Sequence, residues 1–369
     1  MKRILLTGGG TAGHVTPNIA LIPGLRKMGF EIHYAGTSKG IERELIEKAG
    51  RPQGVRVQQL EIQYHCISAG KLRRYFDLKN FTDVFRIGVG FLQSLLLMIK
   101  IRPSVVFSKG GFVSCPVVWA AWFFGVPVVI HESDMTPGLA NKLSIPFAKK
   151  VCFSFPETEV HLPPAKRERT GLPVREELFS GSREEGKEIC GFDDDKPIIL
   201  VMGGSLGSQA INAAVRGSLD KLLDDFNICH LCGKGGKAPG SKKGYCQFEY
   251  VNDELSHIFA MTDIVVSRSG ATTLFELLAL AKPSLLIPLG TAASRGDQIL
   301  NAQSFEKLGY SRVLLQDSLC GAALIEDIRL LYNEREKRGE AMKGAEAAKA
   351  ADKVIEVVMK LVDKAKQGY

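Results

Sequence analysis

The sequence predicts an α/β protein of two doubly wound parallel-sheet domains, and three observations carry that prediction. One local start occurs twice: residues 4–20 read ILLTGGGTAGHVTPNIA and residues 198–215 read IILVMGGSLGSQAINAAV. Each is a short apolar run, a glycine-rich turn with a hydroxyl, and a helix-forming stretch, the opening of a Rossmann-like half. After each start, apolar runs alternate with segments of period about 3.6, which is the pattern of a parallel sheet covered on both faces. Between the two series lies HLPPAKRERTGLPVR, residues 161–175, rich in proline and charge. Two such domains are expected to face a cleft where two ligands meet.

In the first series, strands are expected at 4–7, 31–35, 55–60, 105–108, 126–131 and 151–154. The second series gives 198–202, 228–232, 248–251, 264–267, 284–287 and 313–315. Each run is three to six residues of mainly Val, Ile, Leu, Phe or Tyr ending near Gly, Ser or a charge. Residues 341–366 form helix readily, with Val354, Val357, Val358, Leu361 and Val362 on one side. The expected division is therefore 1–160, 161–340 and a last helix at 341–369.

With 369 residues and 45% hydrophobic content, the chain can build large cores. The net charge of +8 is lopsided: residues 1–160 hold 20 Lys and Arg against 11 Asp and Glu, a net of +9, and the remainder is nearly neutral. A basic first half points to a broad anionic partner. No zinc-finger spacing or basic run with interleaved aromatics supports nucleic acid. The most apolar stretches, 89–99 and 117–130, are short or broken by Gly125 and Pro127, too little to cross a bilayer. Met1-Lys2-Arg3 runs directly into a strand, which reads as no secretory leader, and the eight cysteines read as reduced thiols. Cys229-His230-Leu231-Cys232 has the look of a metal half-site, but no second pair stands at zinc spacing, and a buried strand is the better reading. No metal and no cofactor is expected.

Gly8-Gly9-Gly10-Thr11-Ala12-Gly13 matches the dinucleotide string, yet the second strand ends Tyr34-Ala35-Gly36-Thr37-Ser38 without the carboxylate that holds a ribose. A nicotinamide cofactor is disfavoured. His14 follows the loop at the ligand edge of the sheet and is the candidate general base. In Ser267-Arg268-Ser269-Gly270-Ala271-Thr272-Thr273-Leu274-Phe275-Glu276, a strand ends, Gly270 turns, and free helix N–H groups offer a phosphate seat. Glu276 is placed to take ribose hydroxyls. Gln298 and Asn301, three apart after the next strand, offer amides to a sugar. Asp193-Asp194-Asp195 precedes its strand and reads as a solvated turn.

The strings GGGTAGHVTP, SKGGFVSCPVVWAA, HESDMTPGLANK, TGLPVR, GGSLGSQAIN, SRSGATTLFE and GDQILNA occur in the order and spacing of the MurG family, which the chain resembles over nearly its whole length. The resemblance implies the GT-B fold and an inverting hexosyltransferase. Its reaction moves N-acetylglucosamine (GlcNAc) from UDP-GlcNAc to the 4-hydroxyl of MurNAc in undecaprenyl-pyrophosphoryl-MurNAc-pentapeptide (lipid I), giving lipid II for peptidoglycan. Family donor contacts fall on Thr11, Ala12, Gly13, Asp134, Arg175, Ser205, Val251, Ala271 to Glu276 and Gln298. His14, Glu132, Asn141 and Asn301 match prominent family positions, and Glu132 and Asp134 rival His14 as base. The chain departs from the usual strings at Phe112, Asp134 and Leu172. The nearest alternatives are a related transferase acting on another lipid, such as diacylglycerol, and a UDP-GlcNAc epimerase. The family works at the cytoplasmic face of the cell membrane. Lys71-Leu72-Arg73-Arg74-Tyr75-Phe76-Asp77-Leu78-Lys79-Asn80-Phe81 has the cation–aromatic mixture of a segment on an anionic membrane surface.

Overall fold

The computed structural model describes residues 2–49, 62–70, 79–204, 207–240, 242–290 and 296–367. Two compact units emerge: Met1–Arg175 with Lys349–Tyr369, and Glu176–Ala348. The expected boundary after residue 160 thus moves to Arg175, and the last helix joins the first unit.

In the first unit the strands are β1 Lys2–Thr7, β2 Phe30–Gly36, β3 Gln63–Cys66, β4 Val105–Ser108, β5 Val128–Glu132, β6 Lys150–Phe153 and β7 Arg167–Arg169. They lie in the order β3-β2-β1-β4-β5-β6-β7, every neighbouring pair parallel. β1 shows why the apolar runs are continuous. Ile4 and Leu6 pack with Leu21, Ile22 and Leu25 of the helix Thr16–Lys27, whereas Leu5 faces Met98, Val117 and Val118 on the opposite side. A strand buried on both faces leaves no polar alternation to read. The helix Ala350–Gln367 adds Val354, Ile355, Val358 and Val362 to the first of these cores. It passes so close to the helix Thr16–Lys27 that a Cβ on Gly24 would strike the Ile355 side chain.

The second unit holds β8 Ile198–Met202, β9 Asn227–Leu231, β10 Tyr245–Phe248, β11 Ile264–Ser267, β12 Ser284–Leu286 and β13 Ser311–Val313. Their order is β10-β9-β8-β11-β12-β13, again wholly parallel. Its core joins Ile199 and Val201 to Ile211, Val215, Leu324 and Ile328.

Four expectations need correction or fall outside view. The strand expected at 55–60 lies outside the described residues, and β3 forms a few residues later. β7 arises inside the stretch read as a linker: Arg167-Glu168-Arg169 carries no apolar signal, and as the sheet's edge strand it leans on the Lys150–Glu168 ion pair at 2.5 Å. β10 begins three residues before the expected 248. The helix expected over 341–366 is two helices, Gly321–Lys343 and Ala350–Gln367, parted where Glu346 adopts φ +50°. Cys229 is buried in β9, and His230 is spent on Asn212 and Tyr245 at 2.9 Å each, as a core strand requires.

Candidate active site

In open parallel sheets, ligands sit beyond the carboxyl ends of the strands where the winding order reverses. That point lies between β1 and β4 in the first unit and between β8 and β11 in the second. The glycine loops after β1 and β8 stand there, as do Lys109 to Gly111 after β4 and Arg268 to Gly270 after β11.

The first loop is held rigidly from beneath. Gly10 has φ +86°, a conformation that favours glycine, and its N–H donates to Glu42 Oε2 at 3.2 Å. Gly111, at φ +85°, packs so near the Gly9 carbonyl that no side chain fits. Tyr34 donates its hydroxyl to the Gly8 carbonyl at 2.6 Å and accepts from Asn18 Nδ2 at 3.2 Å. Thr11 is exposed and leads into the short 3-10 turn Ala12–His14. His14 Nδ1 stands 3.2 Å from the Gly9 carbonyl and 3.0 Å from Thr11 Oγ1. A carbonyl only accepts, so Nδ1 carries the proton and Nε2 the lone pair, the tautomer a base needs.

Glu42 was not legible as a site residue, because in IERELIEKA it resembles a solvated helix carboxylate. It is nearly wholly buried and also accepts from Thr37 N at 3.0 Å and Thr37 Oγ1 at 2.5 Å. Burial raises its carboxyl, but the Thr37 hydroxyl and the N–H groups of Thr37 and Gly10 outweigh it and leave it below its ordinary value. Such a group stabilises the fold above its unfolded value of about 4.3, and the contribution disappears as pH falls through the folded value. Glu42→Gln is therefore expected to lose about 1–3 kcal/mol at neutral pH. In urea melts against pH, that difference should close below about pH 4; a constant difference would refute the ionic role.

The β5 edge carries Glu132, Asp134 and Asn141. Glu132 is buried, and its two oxygens accept four hydrogen bonds: Oε1 from Ser133 N (2.8 Å) and Asp134 N (3.0 Å), Oε2 from Gly138 N (3.1 Å) and Asn141 Nδ2 (2.8 Å). A carboxylate so occupied shapes the 133–138 loop and leaves no lone pair for a substrate proton. This corrects its candidacy as base. Asn141 is buried too, spending Nδ2 on Glu132 and on the His131 carbonyl at 3.3 Å. Asp134 is half-buried, its backbone tied to Glu132 and, through its carbonyl, to Thr158 Oγ1 at 3.2 Å. Phe112 lines an apolar pocket with Cys115, Trp119 and Leu143, and Leu172 is core. Arg175 closes the first unit, half-buried.

In the second unit, Ser205 lies outside the described residues. Beyond it, Ser208 Oγ caps the helix Gln209–Gly217. The helix Ala271–Ala279 has no side-chain cap, and its first intrahelical bond is Leu274 N to the Gly270 carbonyl at 3.0 Å. The N–H groups ahead of it are the anion seat. Within this stretch Ala271, Leu274, Phe275 and Glu276 are buried, and Thr272 and Thr273 are half-buried. Leu274 and Phe275 are thus core side chains that could meet a ligand only through backbone. Val251 is buried in the loop beyond β10. Gln298 Oε1 accepts from Leu289 N at 3.0 Å, and its own carbonyl accepts from Ser269 Oγ at 2.8 Å. Asn301 is fully buried with Nδ2 on the Ser269 carbonyl at 3.3 Å, so it shapes the loop instead of meeting a sugar, a second correction.

Arg268 is the residue that sequence reasoning passed over. Buried at the end of β11, it donates to Ile287 O (2.9 Å), Pro288 O (3.2 Å), Ser208 Oγ (2.8 Å) and Gln316 Oε1 (2.7 Å). One planar fork thereby ties together the loops of β8, β11 and β12. A lone charge directly after a buried strand was the available signal. The acidic turn behaves as expected: Asp193 meets Lys243 at 3.1 Å, and Asp194 accepts from Asn227 at 2.6 Å. Among the described residues, no group of three or more His, Cys, Asp or Glu is arranged to hold a metal ion.

Two all-parallel units, each with a glycine loop at its winding reversal and the second with an anion-receptive helix start, have the architecture of the GT-B glycosyltransferases. The glycosyltransferase family 28 N-terminal domain matches residues 4–153, and the family's C-terminal domain matches residues 198–358. The UDP-N-acetylglucosamine–N-acetylmuramyl-(pentapeptide) pyrophosphoryl-undecaprenol N-acetylglucosamine transferase of Clostridium tetani is 54% identical over 97% of this chain and 98% of its own. The Geobacillus kaustophilus protein of that name is 52% identical over 97% and 98%. In three dimensions, Acinetobacter baumannii MurG superposes with a TM-score of 0.73 at 24% identity, covering 98% of this chain and 100% of that one. The kitacinnamycin glycosyltransferase shares the fold equally well, with a TM-score of 0.73 at 14% identity and 98% of each chain covered. The chain belongs to the MurG family of N-acetylglucosamine transferases.

Proposed function

We propose that this enzyme transfers GlcNAc from UDP-GlcNAc to the 4-hydroxyl of the MurNAc sugar in lipid I, with inversion, to form lipid II. The observation that carries the reading is 54% identity across 97% of the chain to a transferase named for that reaction. In this reading the first unit takes the acceptor and the second takes the donor. UDP lies against the uncapped helix Ala271–Ala279 and the start of the helix Gln209–Gly217, with Glu276 on the ribose, Val251 at uracil and Gln298 at the sugar. His14 removes the acceptor proton as the 4-hydroxyl attacks the anomeric carbon, while helix N–H groups and Arg175 receive the charge that develops on the departing diphosphate. Incubating the enzyme with labelled UDP-GlcNAc and a lipid I analogue should give a lipid-linked disaccharide. Release of free GlcNAc alone, or of an epimerised donor, would overturn the assignment.

No helix among the described residues is long and apolar enough to cross a membrane. Of the basic–aromatic segment 71–81, residues 71–78 lie outside the described residues, but the helix Lys79–Ile101 in which it ends supports a peripheral membrane contact at the cytoplasmic face. Phe85, Leu92, Leu96 and Ile99 form one apolar stripe on it and are 75%, 62%, 68% and 54% exposed. Trp122 and Phe123, on the neighbouring helix Ser114–Phe123, are exposed as well. An apolar patch on a strongly basic half suits an anionic bilayer. Replacing Phe85 and Leu96 by Asp should lower binding to anionic vesicles by about 10-fold or more, given ~1.5–3 kcal/mol per buried large side chain. Solution turnover on a water-soluble acceptor should stay unchanged, and unaltered vesicle sedimentation would exclude this face.

A further inference from the structure

Lys109 occupies the centre of the first unit's ligand edge and does nothing in the mechanism so far. It directly follows β4, its N–H donates to the Thr7 carbonyl at 2.9 Å, and its Cβ stands where a side chain on Gly8 would touch it. The pairing of Ser108 with Ile130 sets it beside His131 at the end of β5. The side chain is 1% exposed, and Nζ is buried without a hydrogen-bond partner. A buried ammonium is tolerated only beside compensating negative charge.

The charged and titratable groups that act on it are Glu132 and Asp134. His131 also senses it and is neutral, held at about 3 by burial and donating Nε2–H to the Gly171 carbonyl at 2.8 Å. On the β1 side it meets Thr7 and Gly8, which do not titrate, and Tyr34, whose hydroxyl donates to the Gly8 carbonyl, is kept neutral by burial, which raises the phenol. Glu132, with four N–H donors on its oxygens, has no place for a carboxyl hydrogen, so its native state is the anion. Nor has it a lone pair left for Lys109, which explains a cation held by charge instead of by a hydrogen bond.

We propose that Lys109 is a positioning residue for the acceptor: its buried ammonium keeps the Glu132 carboxylate ionised, and that anion holds the 133–138 loop in the shape the acceptor meets. Burial pulls the Lys109 ammonium down from its ordinary value and the Glu132 carboxyl up, and each charge opposes the other's loss. Without the lysine, Glu132 takes up a proton, the O–H displaces one of its N–H donors, and the loop loosens. The inference rests on the transfer reaction proposed above, and the wild-type assay tests that reaction independently.

The experiment is steady-state kinetics of Lys109→Met and Lys109→Arg against wild type from about pH 7 to pH 9. Lys109→Met should raise the acceptor KM about tenfold at pH 7, and the defect should shrink as pH rises, because rising pH favours the Glu132 anion. Lys109→Arg should stay close to wild type across the range. An acceptor KM that is unchanged, or raised equally at every pH, would overturn the proposal while leaving the transferase reading intact. Should Lys109→Met fail to fold, Lys109→Gln and Lys109→Arg decide the matter by thermal melting. Folding that returns with arginine and not with glutamine reads out the charge, and equal behaviour of the two overturns it.

Discussion

His14→Ala is expected to lower turnover by roughly 10²–10⁴-fold, the usual loss when a general base is removed, with the KM for UDP-GlcNAc nearly kept. The reason is local. The Gly9 carbonyl at 3.2 Å fixes the proton on Nδ1 and presents the Nε2 lone pair, while Glu42 and Tyr34 hold the loop that carries the ring. Alanine removes the base without disturbing those supports, so turnover falls and donor binding does not. Turnover at wild-type level would remove His14 from the role and pass it to Asp134, since the Glu132 oxygens are already occupied.

Glu276→Ala is expected to weaken UDP-GlcNAc binding by about 10²-fold or more, read by calorimetry. Two hydrogen bonds from ribose hydroxyls to a carboxylate are worth ~1.5–3 kcal/mol each. The carboxylate is buried on the helix Ala271–Ala279, in the turn after the uncapped start that would seat the diphosphate. Wild type should discriminate against a 2′-deoxyuridine donor, and the alanine variant should accept both donors equally. A variant that keeps the discrimination would move ribose recognition elsewhere.

Much of the fold was legible because its signals are local. Strands β4, β8 and β11 coincide with their apolar runs, and the two glycine turns stand where the chain must reverse beside a ligand. β7 was hidden because an edge strand needs only one partner and carries charges, and β10 was misplaced because Tyr245-Cys246-Gln247-Phe248 has no continuous apolar run. The ends of the last helix pair were hidden by the good helix propensity of the residues between them.

The site divided the same way. The sequence by itself determined two parallel-sheet units, the glycine loops, His14 after the first and the uncapped helix at Ala271, because period, turn chemistry and helix starts depend on residues adjacent in the chain. Only the tertiary structure decided which polar residues support the loops and which remain open to a ligand. Glu42 reaches a glycine 32 residues away, Arg268 a serine 60 away, and Asn301 a carbonyl 32 away. The physical reason is that burial and hydrogen bonding belong to neighbours in space: a lysine after a strand, or an asparagine on a helix, has no meaning until the sheet brings its partners beside it.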